Sequence, residues 1–450
     1  MRIITPTRNQ GSMLIITVCT AAIIGAGLVS YLWLIHSKNR MVSRSLYWNV
    51  AMAHAEAGVE EALAQLNHTF GTNVNRAANG WFGPNAGIYG PVDRTNRTGR
   101  YIVTINSDAQ PLIRSTGYAT NPISGDGIAR TVEVRARVSS AFQVGMAAKL
   151  NITFKGNNVH IDSFDSEDPA HDDPLDPNEI KANGDVASTD GFVDVGNANI
   201  NGKIKTGPGG SYSFGSGNGY AGPVGWTGPG LYSPEWYQND FNAEFKDVDP
   251  PFSNPVLIPS PTSTLVSING QNATNYWDLN GLNGGGLNNS DYYYPGTPPG
   301  NVLNNLNIVV SGNVRLWVTG DFKPNTSQTI FIGPNASLKL YVGNTTGAPT
   351  SAEFGNVNTT TGSKAAVFQY FGLPNNTSVT WGGNQNYKGT VYAPNAVFTM
   401  GGSGQTIWDY QGACVVKEVV LNGHFNFHYD EDLKRKDPYS GYVAGAWREK

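Results

Sequence analysis

Residues 388–401, KGTVYAPNAVFTMG, superpose on residues 411–424, QGACVVKEVVLNGH, at an offset of 23. Gly389 meets Gly412, Val391 meets Cys414, Ala396 meets Val419, Val397 meets Val420 and Phe398 meets Leu421. A second pair, VSGNVRLWV (310–318) over IGPNASLKL (332–340), matches at an offset of 22, with Asn313 on Asn335 and Leu316 on Leu338. Within each unit apolar and polar residues alternate over short runs, as in half-buried strands. Gly and Asn lie between the runs, where corners need left-handed backbone angles. A repeat of this length suits one coil of a parallel β-helix, whose coils pair about 4.8 Å apart and stack their inward aliphatics.

The same texture extends through LNITFKGNNVHIDSFDS (150–166) and GFVDVGNANINGKIKTGPGG (191–210). The fold class expected is therefore mainly β, with a right-handed parallel β-helix, or solenoid, over 146–430. Residues 230–300 contain DPPFSNPVLIPSPTS and DYYYPGTPPG. Proline has no N–H for a central ladder, so this stretch reads as an irregular insertion. Divergence between the repeats leaves a two-sheet β-sandwich as the alternative. Residues 431–450 read as a C-terminal tail.

Upstream, Met13 to Ile35 is free of charge and long enough to cross a hydrocarbon layer of ~30 Å. A cleaved signal has a shorter apolar core, so a retained transmembrane helix fits better. Arg2 and Arg8 precede the run, and Lys38, Arg40 and Arg44 follow it. The helix continues through SLYWNVAMAHAEAGVEEALAQLN, which lacks proline and is rich in strong helix formers. Ala51, Ala55, Gly58, Ala62 and Leu66 recur at three- and four-residue steps, a small-residue face that another element can approach closely. The reading gives a leader over 1–11, a transmembrane and projecting helix over 12–67, and a β unit over 68–145. In that unit 68–99 is a turn-rich connection, and RYIVTINS, PLIRSTGYAT and ARTVEVRARVSS are strands of a small antiparallel sheet. Val132, Val134, Ala136 and Val138 face inward, with Glu133, Arg135 and Arg137 outward.

Composition narrows the function. The formal net charge is −4 and charged residues are 14% of the chain, below the roughly 25% usual for soluble globular proteins. No general basic field for nucleic acid exists. Two cysteines, Cys19 in the apolar run and Cys414 far from it, exclude a thiolate zinc site and a disulfide framework.

QGSMLIITVCTAAIIGAGLVSYLWLI followed by AHAEAGVEEAL resembles the N-terminal signature of type IV pilus assembly proteins of the PilX type, and also that of minor pseudopilins of type II secretion. The resemblance covers about the first 70 residues. It places Gly11 at the end of a short basic leader, with Ser12 beginning the processed chain, and Ala55, Glu56, Ala57, Gly58 and Glu60 on the second motif. It implies a membrane-anchored, pilin-like αβ unit whose helix packs through Ala51, Ala55, Glu56, Gly58 and Ala62. Its partners would be other pilins or pilus assembly proteins. Major pilins of these families carry Glu at the fifth position after the cut, where this sequence has Ile16. That departure points away from a bulk filament subunit. HIDSFDS, NINGKIKTGPGG, GTVYAPNA and HFNFHYDEDL resemble an uncharacterised bacterial C-terminal domain family found behind such N-termini, and no activity comes with it.

The candidate chemistry is concentrated in HIDSFDSEDPAHDDPLD (160–176). Asp162, Asp165, Asp168, Asp172 and Asp173 are candidate Ca²⁺ ligands by carboxylate density. Their spacing does not match an EF-hand loop, and a solvated acidic loop is the competing reading. Lys203 and Lys205 read as exposed strand positions. His424 and His428 stand four apart, but a strand context spoils the helical metal geometry. Tyr292, Tyr293, Tyr294, Trp226, Trp236 and Tyr237 form either a stacking surface or part of the core. No catalytic residue emerges, and the chain is expected not to be an enzyme. The expected role is structural: a component of a type IV pilus or pseudopilus in the bacterial inner membrane, with its bulk extracytoplasmic and its β domain displayed for adhesion or contact. The alternative is a membrane-anchored carbohydrate-binding or carbohydrate-active β-helix protein that takes surface polysaccharide.

Overall fold

The computed structural model describes residues 10–68, 80–106, 110–123, 125–156, 159–253, 256–279, 291–296, 306–324, 328–382, 386–401 and 406–450. It divides into two compact units, Met1–Val138 with Gly441–Lys450, and Ser139–Ser440. In chain order the second unit is thus inserted into the first.

The first unit is built on α1 (Gln10–His68). An unbroken run of helix formers without proline carries it for roughly 90 Å. From Met13 to Ile35 its side chains are exposed, and this part is long and apolar enough to cross a membrane. The second half lies on an antiparallel meander of β1 (Ile88–Thr95), β2 (Arg100–Asn106), β3 (Leu112–Thr120) and β4 (Gly127–Ser140). Ala55, Val59, Ala62 and Leu66 share a core with Val103, Ile105, Ile113, Val132, Val134 and Ala136. Contact is close because each side supplies a glycine. A Cβ on Gly117 would lie 2.0 Å from the Ala51 carbonyl oxygen, and one on Gly58 would lie 2.2 Å from Ser115 Oγ. Polar ties fix the register: Ser43 Oγ donates to Asn121 Oδ1 at 2.7 Å, and Glu61 accepts from Arg94 and from the Tyr101 hydroxyl.

Three expectations for this unit are corrected. The connection assigned to 68–99 contains β1, an edge strand in which only Val92 is buried, so no alternating pattern announced it. The C-terminal tail includes the strand Tyr439–Glu449, which lies beside β4 as the fifth strand of this sheet among the described residues. Arg448 and Lys450 reach Glu133 and cover it, so that side chain is buried and paired rather than solvated, while Val138 is exposed.

In the second unit the ladders of the large sheets are parallel, which is not the pairing of an antiparallel sandwich. Val310 pairs Ile332, at the expected offset of 22. Beyond the corner Asn313 pairs Ser337 rather than Asn335, and Leu316 pairs Leu340 rather than Leu338. The corner GPNA is two residues longer than the corner SG, and Asn335 takes up the turn with φ of 57°. Likewise Gly389 pairs Gly412 and Val391 pairs Cys414, as read from the sequence. After the corner at Pro394 the register shifts, so that Val397 pairs Glu418 and Phe398 pairs Val419. Both shifts leave the inward face unchanged, because they are even and strand side chains alternate with period two.

The inward row shows why stacking stabilises this unit. Tyr387 stacks on Tyr410 and Tyr410 on Phe427, each at 4.5 Å between ring centroids. The row continues through Ile161 to Ile200, and all five side chains are fully buried. The ~4.8 Å strand spacing places aromatic rings at stacking distance without adjustment.

Chain order and ladder order differ. Met146 pairs Val186, and Val186 pairs Ile204, building in one direction. The chain then runs past Tyr392, whose hydroxyl donates to the Lys246 carbonyl, and past Arg315, which donates to the Pro251 carbonyl. From Val256–Leu257 it builds back by way of Tyr292, Leu316, Leu340, Tyr370 and Val391 to Cys414, which pairs Met146. The stretch 230–300, expected to be an irregular insertion, therefore contributes strands to the ladders at Val256–Leu257, Tyr276–Leu279 and Asp291–Tyr294.

Candidate functional site

The acidic segment begins in a strand and leaves it. His160–Phe164 is paired on one side with Phe425–Asp430 and on the other with Asn199–Asn201. The following residues fold back so that Ser163 and Lys181 exchange backbone hydrogen bonds. Their carboxylates act as turn formers: Asp165 accepts from Glu167 N–H, Asp168 from Ala170, Asp173 from Leu175 and Asp176 from Asn178. Such Asx turns are the ordinary use of aspartate in tight loops. Asp165 also pairs with Arg435, and Asp172 lines a small cavity. The five candidate Ca²⁺ ligands are not brought together. Among the described residues no three His, Cys, Asp or Glu side chains form a group that could hold a metal ion.

Asp162 instead belongs to a buried charge cluster. It is 1% exposed, and its Oδ1 lies 2.6 Å from His428 Nδ1. His428 Nε2 lies 3.3 Å from Asp409 Oδ1, and Asp409 also accepts from Asn426 Nδ2. His160 Nε2 approaches Asp162 Oδ2 at 3.3 Å and Asn201 Nδ2 at 3.2 Å. Burial alone lowers the pKa of His428. Its hydrogen bonds to Asp162 and Asp409 outweigh that effect and hold the imidazole at about 9. A histidinium between two carboxylates is a fixed cation, poorly suited to act as a general base near neutrality. Asp409 is pushed up by burial, but its bonds to His428 and Asn426 bring it below the usual carboxylate range.

Parallel register extends this polar row. Lys388 pairs Gln411, Gln411 pairs His428, and His428 pairs Asp162. Lys388 and Gln411 line a groove of about 390 Å³ with Asn358, Asn386 and Trp408. They also line a smaller cavity of about 90 Å³ with Ser166, Asp172, Ser363 and Asp430. Burial lowers the pKa of Lys388, which donates to the Ser363 carbonyl. Burial raises Asp430, although Ser166 donates to it from both N–H and hydroxyl. Amide, amine and indole groups around one groove are chemically suited to hydroxyl-rich ligands.

The remaining sequence-assigned residues are on α1 and among the aromatics. Gly11 and Ser12 lie in the first turns of the helix, while most of the leader, 1–9, falls outside the described residues. Ala51, Ala55, Gly58 and Ala62 are buried against the chain's own sheet, and Glu56 is exposed, so it takes no part in that packing. Lys205 pairs with Asp185. Tyr232 makes edge-to-face contacts with Trp226 and with Trp236, and Tyr293 meets Trp317 edge-on. Sequence reasoning missed Asp409 and the pairing of His428 with Asp162. The two residues are far apart in sequence, and only strand stacking joins them.

A family model described as a domain of unknown function, DUF7305, matches residues 263–436, under half of the chain. No curated protein matches the chain. Among solved structures, the crystal structure of the competence-associated pilin ComZ from Thermus thermophilus aligns over 90% of this chain and 97% of that one, at 12% identity and a TM-score of 0.26.

Proposed function

We propose that the chain is a membrane-anchored, pilin-like structural component of a type IV pilus or pseudopilus assembly, close to the PilX type, that displays a right-handed parallel β-helix for adhesion or contact. The observation that carries this reading is the division of labour along α1. Met13–Ile35 is bare and apolar, whereas Ala51, Ala55, Gly58 and Ala62 are sunk into an antiparallel sheet of the same unit. A soluble domain has no use for a bare apolar stretch of this length, and a plain tether has no use for the docked half. In this reading the chain is held in the bacterial inner membrane with its bulk outside, Gly11–Ser12 is the processing site, and other pilins are the partners. It is neither an enzyme nor a holder of Ca²⁺. The test is fractionation: the protein should sediment with membranes and be recovered with sheared surface filaments. Recovery only as a soluble, solitary protein contradicts the proposal.

The groove at Lys388, Trp408 and Gln411 favours a second reading, in which the displayed unit binds surface polysaccharide. Glycan binding that is lost in Trp408→Ala, with the fold retained, supports it. Unchanged binding removes it.

A further inference from the structure

The first acidic residue of the chain is Glu56, whereas Arg2, Arg8, Lys38, Arg40 and Arg44 all precede it. Lys38, Arg40 and Arg44 follow the apolar run directly, are exposed, and have no acidic partner among the described residues. With the bulk of the chain outside, these three do not orient the span, because orientation is set by cations on the cytoplasmic side. Exposed Tyr31 and Trp33 mark the membrane interface at this end of the run. Lys38 and Arg40 stand about 5 Å and 8 Å beyond Ile35 along the axis, within a headgroup layer of roughly 5–8 Å. Arg44 stands about 14 Å beyond Ile35, less than one screening length of ~8 Å above that layer.

The sheet adds a second element on the same side. At roughly 3.6 residues per turn, Arg40 and Arg44 share the side of α1 that carries Ser43, Tyr47 and Ala51 and meets the sheet. Gly117 lies against Ala51 and Asn121 against Ser43, so β3 runs along α1 toward the apolar run. Asn121 N–H donates to the Asp126 carbonyl and closes the β3–β4 turn, while Asn121 Oδ1 accepts from Ser43 Oγ and from Ile123 N–H. The tip of this turn therefore points at the membrane, and it presents Ile123, which is 55% exposed. Asp126, the acid of the turn, is already engaged within the chain. A tilt of about 20°, ordinary for a membrane helix, lowers the tip to the headgroups when it is directed to the sheet side. We infer that this end of the first unit binds an anionic lipid surface, with Lys38, Arg40 and Arg44 on the lipid phosphates and Ile123 seated among the headgroups. The inference rests on the membrane-anchored reading and adds to it that the unit is held down on the bilayer rather than standing free on α1. Cations give the contact its selectivity for negative lipid, and the apolar tip gives it depth.

The test uses the full chain, Ile123→Cys in a Cys19→Ser background, labelled with an environment-sensitive fluorophore; Cys414 is buried and escapes the label. The protein is reconstituted into vesicles of phosphatidylcholine alone and of phosphatidylcholine with an equal part of phosphatidylglycerol. In the anionic vesicles the label should shift to the blue and be quenched by brominated lipid. In phosphatidylcholine alone it should do neither, and about 1 M salt, which shortens the screening length to ~3 Å, should reverse the shift. Arg40→Gln with Arg44→Gln should abolish the shift. Arg97→Gln should leave it unchanged, because Arg97 is equally exposed but its turn reaches up to His54. The same emission in both vesicles, a shift that survives loss of Arg40 and Arg44, or an equal loss in Arg97→Gln overturns the inference. Any of these results, with the protein still embedded in the vesicles after an alkaline wash, leaves the membrane-anchored role standing. Release of the protein from both vesicles by that wash overturns the inference and the anchored role together.

Discussion

Met146 lies beside Cys414 in a parallel ladder although 268 residues separate them. The strand Trp408–Asn422 also pairs Ile152–Phe154 and Tyr387–Gly401, so it joins the first strands of the unit to the last. Stability of the second unit therefore depends on this late strand more than on any local contact, and its ordering waits until nearly all of the unit's chain is available.

Gly412 tests that junction. A Cβ there would lie 1.8 Å from the Gly389 carbonyl oxygen on the neighbouring strand. Gly412→Ala should destabilise the second unit by roughly 2–3 kcal/mol, the upper range of overpacking. Thermal unfolding of the full chain should show the second unit's transition lowered and the first unit's unchanged.

His428 predicts a pH dependence of stability. Its folded pKa, about 9, is above the usual value near 6.5. A raised pKa means the folded state binds the proton more tightly, so this contribution is complete below about pH 6.5 and is lost as pH rises through about 9. Asp409 acts in the opposite sense at the acid end, because its lowered pKa makes its contribution vanish as pH falls through the folded value. His428→Gln removes the cation and leaves two buried carboxylates facing each other, at a cost of about 3–5 kcal/mol. Denaturant titrations between pH 6 and 10 should show the wild-type slope, and the variant should lack it.

Gly117 controls how closely α1 approaches its sheet. Gly117→Ala places a methyl carbon against backbone at Ala51, which cannot move aside as a side chain can. A loss of about 1–3 kcal/mol is expected. Limited proteolysis should then cut between β2 and β3 sooner, with the second unit still resistant.

How much was legible in the sequence depended on whether a signal was local. The Met13–Ile35 run and the small-residue face of α1 were readable because helix periodicity needs only neighbours. The repeat through Gly389 and Gly412 was readable up to Pro394, where corners of unequal length break any fixed offset. Val256–Leu257 escaped notice because a two-residue strand flanked by prolines carries no periodicity. Tyr439–Glu449 read as a tail because its partner strand, β4, lies some 300 residues upstream and its own pattern is mixed. Density of the five aspartates suggests a cation, whereas Asp165, Asp168 and Asp173 each accept from the amide two residues on, the spacing of turns, and Asp162 pairs with His428. His428 lacks the helical spacing of a metal ligand, but its place as a buried cation is not legible without knowing which strand pairs with which.

Intact-mass measurement of the native protein tests the central claim most directly. The account predicts a mature chain that begins at Ser12 and retains α1 from that residue onward. A chain cut after about residue 30, with the apolar half of the helix gone, would contradict it.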